Sequence, residues 1–224
     1  EAELKQFSDG GAYLNRELSL LEFNRRVLAQ AEDPSIPLLE RLRFLCIVAS
    51  NLDEFFEVRV ASLLAQYKMD RESGSLPDGL AAELERASAE CRHLIARQYS
   101  LFNTEIQPQL SEHGIHLLHR SQRNAAQRAW VKQCFDREVR PLLTPISLDP
   151  AHPFPRVINK SLNFIVELGG KDAFGRGSGI AIMKAPRVLP RVIRLPDELS
   201  DKKGASYCML SSVIQAHMAD LFTG

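Results

Sequence analysis

The stretch from Phe44 to Leu64 constrains the fold more than any other part of the chain, because its apolar residues follow a helical repeat on both sides of a polar step. An uninterrupted apolar run from Phe44 to Ala49 is followed by the polar pair Ser50-Asn51. Beyond that pair, apolar residues recur every three or four positions. We therefore predict a buried helix over residues 37–49, a polar corner at Ser50-Asn51, and a third helix that begins there.

Either polar residue of this corner is suited to cap the third helix. Ser50 followed by Asp53, or Asn51 followed by Glu54, would place an oxygen acceptor on the free N–H groups and an acid in the first turn. A catalytic carboxylate pair is the alternative for Asp53 and Glu54, although complementing the helix dipole accounts for both. The residues alone do not say what the corner faces.

The rest of the first half also predicts helices. Ser19 and Glu22 are spaced as a capping box, which predicts a first helix that ends near Glu32. A second long amphipathic pattern begins near Leu80, and Pro108 is expected to kink or end it. The face predicted for the first helix contains Leu20, Phe23, Val27 and Ala31. We predict a flexible arm at residues 1–12 and a helical bundle at residues 13–111.

The pattern changes after Gly114, which is a candidate helix C-cap. Seven of the 12 prolines lie between residues 141 and 190, which excludes continuous helix there. Helices are predicted over residues 121–140 and 207–222, and strands over 115–118, 162–168, 179–184 and 191–195, with a Gly-rich hairpin loop at 169–178. The fold class is therefore α+β: a helical bundle followed by a small, incomplete α+β domain at residues 112–224.

Composition excludes some functions. Lys plus Arg equals Asp plus Glu at 28 each, so net charge does not favour a nucleic-acid partner. No apolar run approaches the roughly 20 residues that span a bilayer. The four cysteines contain no CxxC pair, which favours reduced, buried thiols in a cytoplasmic protein; peripheral membrane association stays open. The chain lacks an initiator Met, and we expect it to be part of a longer protein.

Three other patterns are weaker candidates for a site. The first is His113, His116 and His119, which a strand would point to opposite faces, so we predict solvated histidines rather than a metal site. The second is the Gly-rich segment 174–179, which no helix follows, so a hairpin loop is favoured over a phosphate cradle. The third is the basic run from Lys184 to Arg194, either a solvated edge or an anion site. We predict no catalytic residue and no metal ligand.

Several collinear blocks of the sequence resemble class-1 polyphosphate kinases, and the resemblance spans about Tyr13 to Phe222. Leu20-Leu21 departs from the family's more usual Trp-containing pair, which puts only local packing in doubt. The blocks that carry the resemblance are Asn15-Arg16-Glu17-Leu18-Ser19-Leu20-Leu21-Glu22-Phe23-Asn24, Pro37 to Leu45, Ser50-Asn51-Leu52-Asp53-Glu54-Phe55-Phe56, Thr144-Pro145-Ile146, Asp149 to Pro155, Leu162-Asn163 and Leu189-Pro190-Arg191.

The resemblance implies a phosphotransferase that moves the terminal phosphate of ATP reversibly onto polyphosphate, with Mg²⁺ and through a phosphohistidine. It implies that this chain holds the helical N-terminal domain and part of the head domain, whereas the catalytic histidines and metal ligands lie in domains outside it. We therefore expect the chain alone to be inactive. It also implies that Asn51 contacts the adenine of ATP or ADP, and that the enzyme is a homodimer or higher homo-oligomer.

One alternative from another class stays open. The chain would then be a non-enzymatic interaction module that binds a protein or an anionic ligand through the run from Lys184 to Arg194. A stand-alone nucleotide sensor is a third option. The basic run favours the module, and the blocks around Asn51 favour the kinase.

Overall fold

A computed structural model describes residues 15–74, 79–148, 153–169, 179–200 and 203–222. It divides into two compact units, Glu1–Gln109 and Leu110–Gly224. The first is helical and the second combines helices with two small sheets, which confirms the predicted α+β class. The predicted arm at residues 1–12 and most of the hairpin loop at 169–178 lie outside the described residues.

The first unit is built from long helices that contain short π-helical segments. In chain order these are α1 (Arg16–Glu32), α2 (Leu38–Glu54), a π-helix (Phe55–Val60), α3 (Ala61–Ser73), α4 (Leu80–Leu101), a second π-helix (Phe102–Ile106) and α5 (Gln107–Glu112), which continues from the first unit into the second. Pro108 therefore does not end its helix. The widened π turn comes directly before it. Gly114 adopts φ +80° just beyond α5, as expected of a C-cap.

Helix α1 begins earlier than predicted and buries a different face. Asn15 caps it, because Asn15 Oδ1 accepts from the backbone N–H of Leu18 at 2.9 Å. Ser19 lies inside the first turn and donates to the Asn15 carbonyl, so the predicted capping box is wrong. The buried face contains Leu21, Asn24, Leu28 and Ala31 rather than Leu20, Phe23 and Val27.

The predicted corner at Ser50-Asn51 is wrong. The backbone is helical without interruption from Leu38 to Ser73, through α2, the first π-helix and α3. No Gly or Pro occurs in that span, and a single Ser or Asn costs a helix only a few tenths of a kcal/mol. Asp53 and Glu54 are exposed in the last turn of α2 and do not begin a helix.

Two polar side chains tie the helices of the first unit together. The Nε of buried Arg41 on α2 donates to the Ala31 carbonyl at 2.7 Å, and its Nη2 donates to Glu105 at 2.8 Å. Gln98 on α4 donates to the Leu45 carbonyl on α2 at 2.8 Å. Apolar packing between them is supplied by Leu21, Leu28, Leu45, Val48, Leu52, Ala87, Cys91 and Leu94.

The second unit contains two three-stranded sheets. One has the order β1 (Ile115–Leu117), β6 (Ala205–Met209), β5 (Val192–Arg194), and the other has the order β2 (Pro145–Leu148), β4 (Ile180–Lys184), β3 (Asn163–Glu167). Its helices are α6 (Ala125–Cys134), extended by a π-helix (Phe135–Val139), and α7 (Leu210–Ala216). Strand β1 is parallel to β6, and the other pairs are antiparallel.

Sequence reasoning misplaced part of this second unit. The helix expected over residues 207–222 is wrong at its start, because the chain is strand β6 up to Met209 and α7 begins only at Leu210. Residues 205–209 form a strand because β6 lies between β1 and β5, where its backbone hydrogen bonds complete the sheet. Strand β2 was not predicted. The core packs α6 and α7 against the strands, and its fully buried members include Phe135, Met183, Cys208, Leu210 and Ile214.

Within the described residues, no helix is both long and apolar enough to cross a bilayer. The four cysteines have free thiols. Three are buried, as predicted, but Cys46 is exposed because it lies on the outer face of α2.

Candidate functional site

Asn51 lies inside α2, one turn before the π-helix, and not at a helix start. The backbone N–H of Phe55, the first residue of the π-helix, donates to the carbonyl oxygens of Asn51 and Leu52. Because the helix continues through Asn51, neither of the proposed cap functions applies. Its side chain is partly exposed and therefore accessible from solvent.

The partner of Asn51 is Asn24, which sequence analysis did not single out. Asn51 Nδ2 donates to Asn24 Oδ1 at 2.9 Å across the α1–α2 contact. Asn24 is only 3% exposed and occupies a position between Leu21 and Leu28 on the buried face of α1. A polar residue at spacing three and four among apolar ones is the signal that would have found it.

The Asn51 amide keeps hydrogen-bonding capacity after this contact. Among the described residues, the bond to Asn24 is the one hydrogen bond that its side chain forms. An amide has one acceptor oxygen and two donor hydrogens, so an acceptor and a second donor stay available. The partly exposed Asn51 side chain therefore keeps an acceptor and a donor that a ligand could use.

Exposed apolar side chains lie near the asparagine pair along the sequence of α1 and α2. Leu20 precedes Asn24 by one helical turn, and Ile47 precedes Asn51 by one turn; both are exposed. Phe23 is 50% exposed, with the Arg26 guanidinium 5.9 Å from the centre of its ring. Exposed apolar side chains can provide surface for the face of a flat ring.

The three histidines do not form a metal site. His116 is buried; its Nδ1 is 2.9 Å from Ser111 Oγ, and its Nε2 is 3.3 Å from the Lys203 carbonyl oxygen. The prediction of a solvated side chain is therefore wrong for His116. Its buried ring lies between Ser111 and Lys203. In the part of the chain that the structure describes, no group of three or more His, Cys, Asp or Glu side chains is placed to hold a metal.

Two residues of the basic run are engaged with the protein itself. Arg187 donates to the Asn159 carbonyl at 2.7 Å, and Arg194 pairs with Asp197 at 2.8 Å. Each interaction uses one nitrogen of its guanidinium group and leaves other donors of that group for a ligand. The phosphate-cradle candidate at residues 174–178 lies outside the described residues, although Gly179, its last residue, is described.

Comparison with known proteins assigns the family. The family described as "Polyphosphate kinase N-terminal domain" matches residues 13–118, and "Polyphosphate kinase middle domain" matches residues 126–224. The chain belongs to the polyphosphate kinase family. Asn24 and Asn51 both lie in the segment that matches the N-terminal domain.

Relatives in this family match nearly the whole chain. A polyphosphate kinase from Neisseria meningitidis serogroup B is 56% identical over 94% of this chain and 31% of its own length. One from Pseudomonas aeruginosa is 51% identical over 96% of this chain and 31% of its own. The crystal structure of a polyphosphate kinase from Porphyromonas gingivalis is 31% identical, with a TM-score of 0.70 over 92% of this chain and 31% of that one. The chain thus spans about a third of its relatives' length.

Proposed function

We propose that this chain is the amino-terminal part of a polyphosphate kinase, which transfers the terminal phosphate of ATP reversibly to polyphosphate. Within that enzyme it supplies part of the wall that binds adenine. The observation that carries this function is the partly exposed Asn51 amide, which is anchored on Asn24 and keeps an acceptor and a donor for a ligand. Its position within a domain of a kinase family supports a nucleotide as that ligand.

The chemistry of the Asn51 amide fits adenine. An asparagine can accept from an adenine amino group and donate to the neighbouring ring nitrogen at the same time. The exposed Phe23 and Leu20 offer apolar surface for the face of the base. Base stacking on aromatic or apolar side chains adds affinity that does not depend on the hydrogen bonds.

The proposal places phosphoryl transfer outside this chain. Transfer from ATP depends on positioned cations and bound Mg²⁺ around the phosphates. We infer that the residues that hold Mg²⁺ lie in the part of the enzyme outside this chain, which spans about a third of its relatives' length. We therefore expect no sustained ADP formation when the chain alone is incubated with ATP, Mg²⁺ and polyphosphate.

The enzyme is proposed to work as a homodimer or a higher homo-oligomer. Apolar side chains lie exposed on the strands of the β2–β4–β3 sheet, where Ile165 is 72% exposed and its near neighbours Ile146 and Ile180 are also exposed. Exposed apolar groups that cluster on one surface are typical of association surfaces. This clustering is what supports self-association through the second unit.

The adenine contact is tested by Asn51→Ala in a full-length enzyme that carries this chain. The loss of one neutral hydrogen bond, at about 0.5–1.5 kcal/mol, should raise the KM for ATP by about two- to tenfold, the loss of two by up to about 100-fold, and kcat should change little. Asn103→Ala is the matched control, because Asn103 is an exposed asparagine in the second π-helix. An ATP KM that Asn51→Ala leaves at the control value would reject the proposed contact.

A further inference from the structure

We propose that Arg59 binds a phosphate group of the nucleotide whose adenine Asn51 contacts. This inference rests on the proposed function of Asn51. Arg59 lies in the first π-helix, eight residues after Asn51, and its side chain is partly exposed. Among the residues that the structure describes, its guanidinium has neither an ion pair nor a hydrogen bond. All five of its N–H donors are therefore available to a ligand.

The π-helix brings Arg59 onto the side of the helix that carries Asn51. Eight residues of regular α-helix turn the chain by about 800°, which is about 80° beyond two full turns. The widened turn at Phe55–Val60 accommodates one extra residue and so removes about 100° of that rotation. Arg59 therefore points within about 20° of the direction of Asn51, about two turns farther along the same helix.

The burial of the helix agrees with this alignment. Asn51 and Arg59 are both partly exposed, and Phe55, one turn from each, is 5% exposed and faces the core. The strip from Asn51 to Arg59 therefore lies at the edge of the buried face, where a long side chain can pack its stem and keep its charged head in water. The residues one turn from Arg59 on its own helix are Phe55 and Leu63, so no acid at that spacing neutralises its charge.

The spacing of the two side chains fits a nucleotide. Two turns of helix extend about 11 Å, and the ribose separates the base of a nucleotide from its phosphates. A base held at Asn51 can thus direct its phosphates toward Arg59. A guanidinium donates two parallel hydrogen bonds to phosphate oxygens and stays charged at physiological pH. A phosphate is therefore the ligand that the Arg59 guanidinium suits best.

The test measures the KM for ATP of Arg59→Gln in the full-length enzyme. Loss of a charge-assisted hydrogen bond at this partly exposed position should raise that KM by about five- to fiftyfold. Arg59→Lys keeps the charge but loses the planar fork, so its KM should rise less. Arg43→Gln is the matched control, because Arg43 also lies eight residues from Asn51, but along regular α-helix that turns it about 80° away. The control should stay within about twofold of the parent enzyme, and equal KM values for Arg59→Gln and Arg43→Gln would overturn the inference.

Inhibition by adenosine, which has the base but no phosphate, separates this contact from the proposed function. Asn51→Ala should raise the Ki of adenosine and the KM for ATP by the same factor, whereas Arg59→Gln should raise the KM for ATP and leave the Ki within about twofold. An equal rise in both constants for Arg59→Gln would assign Arg59 to the base or to the fold and overturn the phosphate contact. If Asn51→Ala leaves both constants unchanged, the adenine contact fails, whatever the result for Arg59→Gln.

Discussion

Replacing Arg41 should destabilise the first unit through a helix terminus rather than through an ion pair. The last carbonyl groups of a helix have no intrahelical partner, and the Nε of Arg41 supplies one for the fully buried Ala31 near the end of α1. The Arg41 side chain is 3% exposed, whereas the Glu105 side chain that it pairs with is 51% exposed. Water can therefore replace Arg41 at Glu105, but not at the Ala31 carbonyl.

The expected magnitude follows from this asymmetry. A hydrogen bond to a charged donor contributes about 1.5–3 kcal/mol, whereas a half-exposed ion pair contributes about 1 kcal/mol or less. Arg41→Ala should therefore lower the free energy of unfolding by about 2–4 kcal/mol. With a denaturant slope of about 1.5 kcal/mol per M, the urea midpoint should fall by about 1–3 M.

The assay is urea unfolding followed by far-UV circular dichroism, which reports mainly the helices of the first unit. Trp130, the single tryptophan, lies in α6, and its fluorescence follows the second unit in the same titration. Glu105→Ala is the matched control and should move the dichroism midpoint by well under half as much as Arg41→Ala. Equal shifts for the two variants would refute the capping argument and assign the energy to the ion pair.

Two further predictions concern the second unit and the thiols. Gly204→Ala should lower the free energy of unfolding, followed by Trp130 fluorescence, by at least about 2 kcal/mol, because Gly204 has φ +125° and a Cβ there would overlap the Gly114 carbonyl. Gly74→Ala, at φ +73° in open space, should lower the free energy of unfolding by about 1 kcal/mol. Equal costs would contradict this. Iodoacetamide at pH 7.5 should label Cys46 alone by mass spectrometry, because burial raises the pKa of Cys91 and Cys134 to about 11; rapid labelling of either would oppose it.

The helices of the first unit were largely predictable because their apolar residues repeat every three or four positions. Which face of a helix is buried was harder to predict. On α1, sequence reasoning chose Leu20 and Phe23 because they are apolar, but the buried face passes through Asn24. The spacing of Asn24 between Leu21 and Leu28 marks it as a buried position, but its partner Asn51 is 27 residues away and has no local signal.

Asn51 was identified through its motif, and the local reasoning that accompanied it was wrong. A Ser-Asn pair is typical of a helix start, but no glycine or proline breaks the helix here, and Asn51 bonds to Asn24 rather than to free backbone N–H groups. Strand β6 was mistaken for helix because its few residues join α7 without a turn signal. Parallel pairing with β1, about 90 residues earlier, is what selects the strand.

The π-helix at Phe55–Val60 acts as a change of phase in the long helix that holds Asn51. Each residue of an α-helix turns the chain by about 100°, so one extra residue in a widened turn rotates everything beyond it by about that angle. Helix α3 contributes no buried residue, whereas α2 contributes four. Substitutions on the exposed surface of α3 can therefore leave unchanged the rotation of α2 that directs Asn51 toward Asn24.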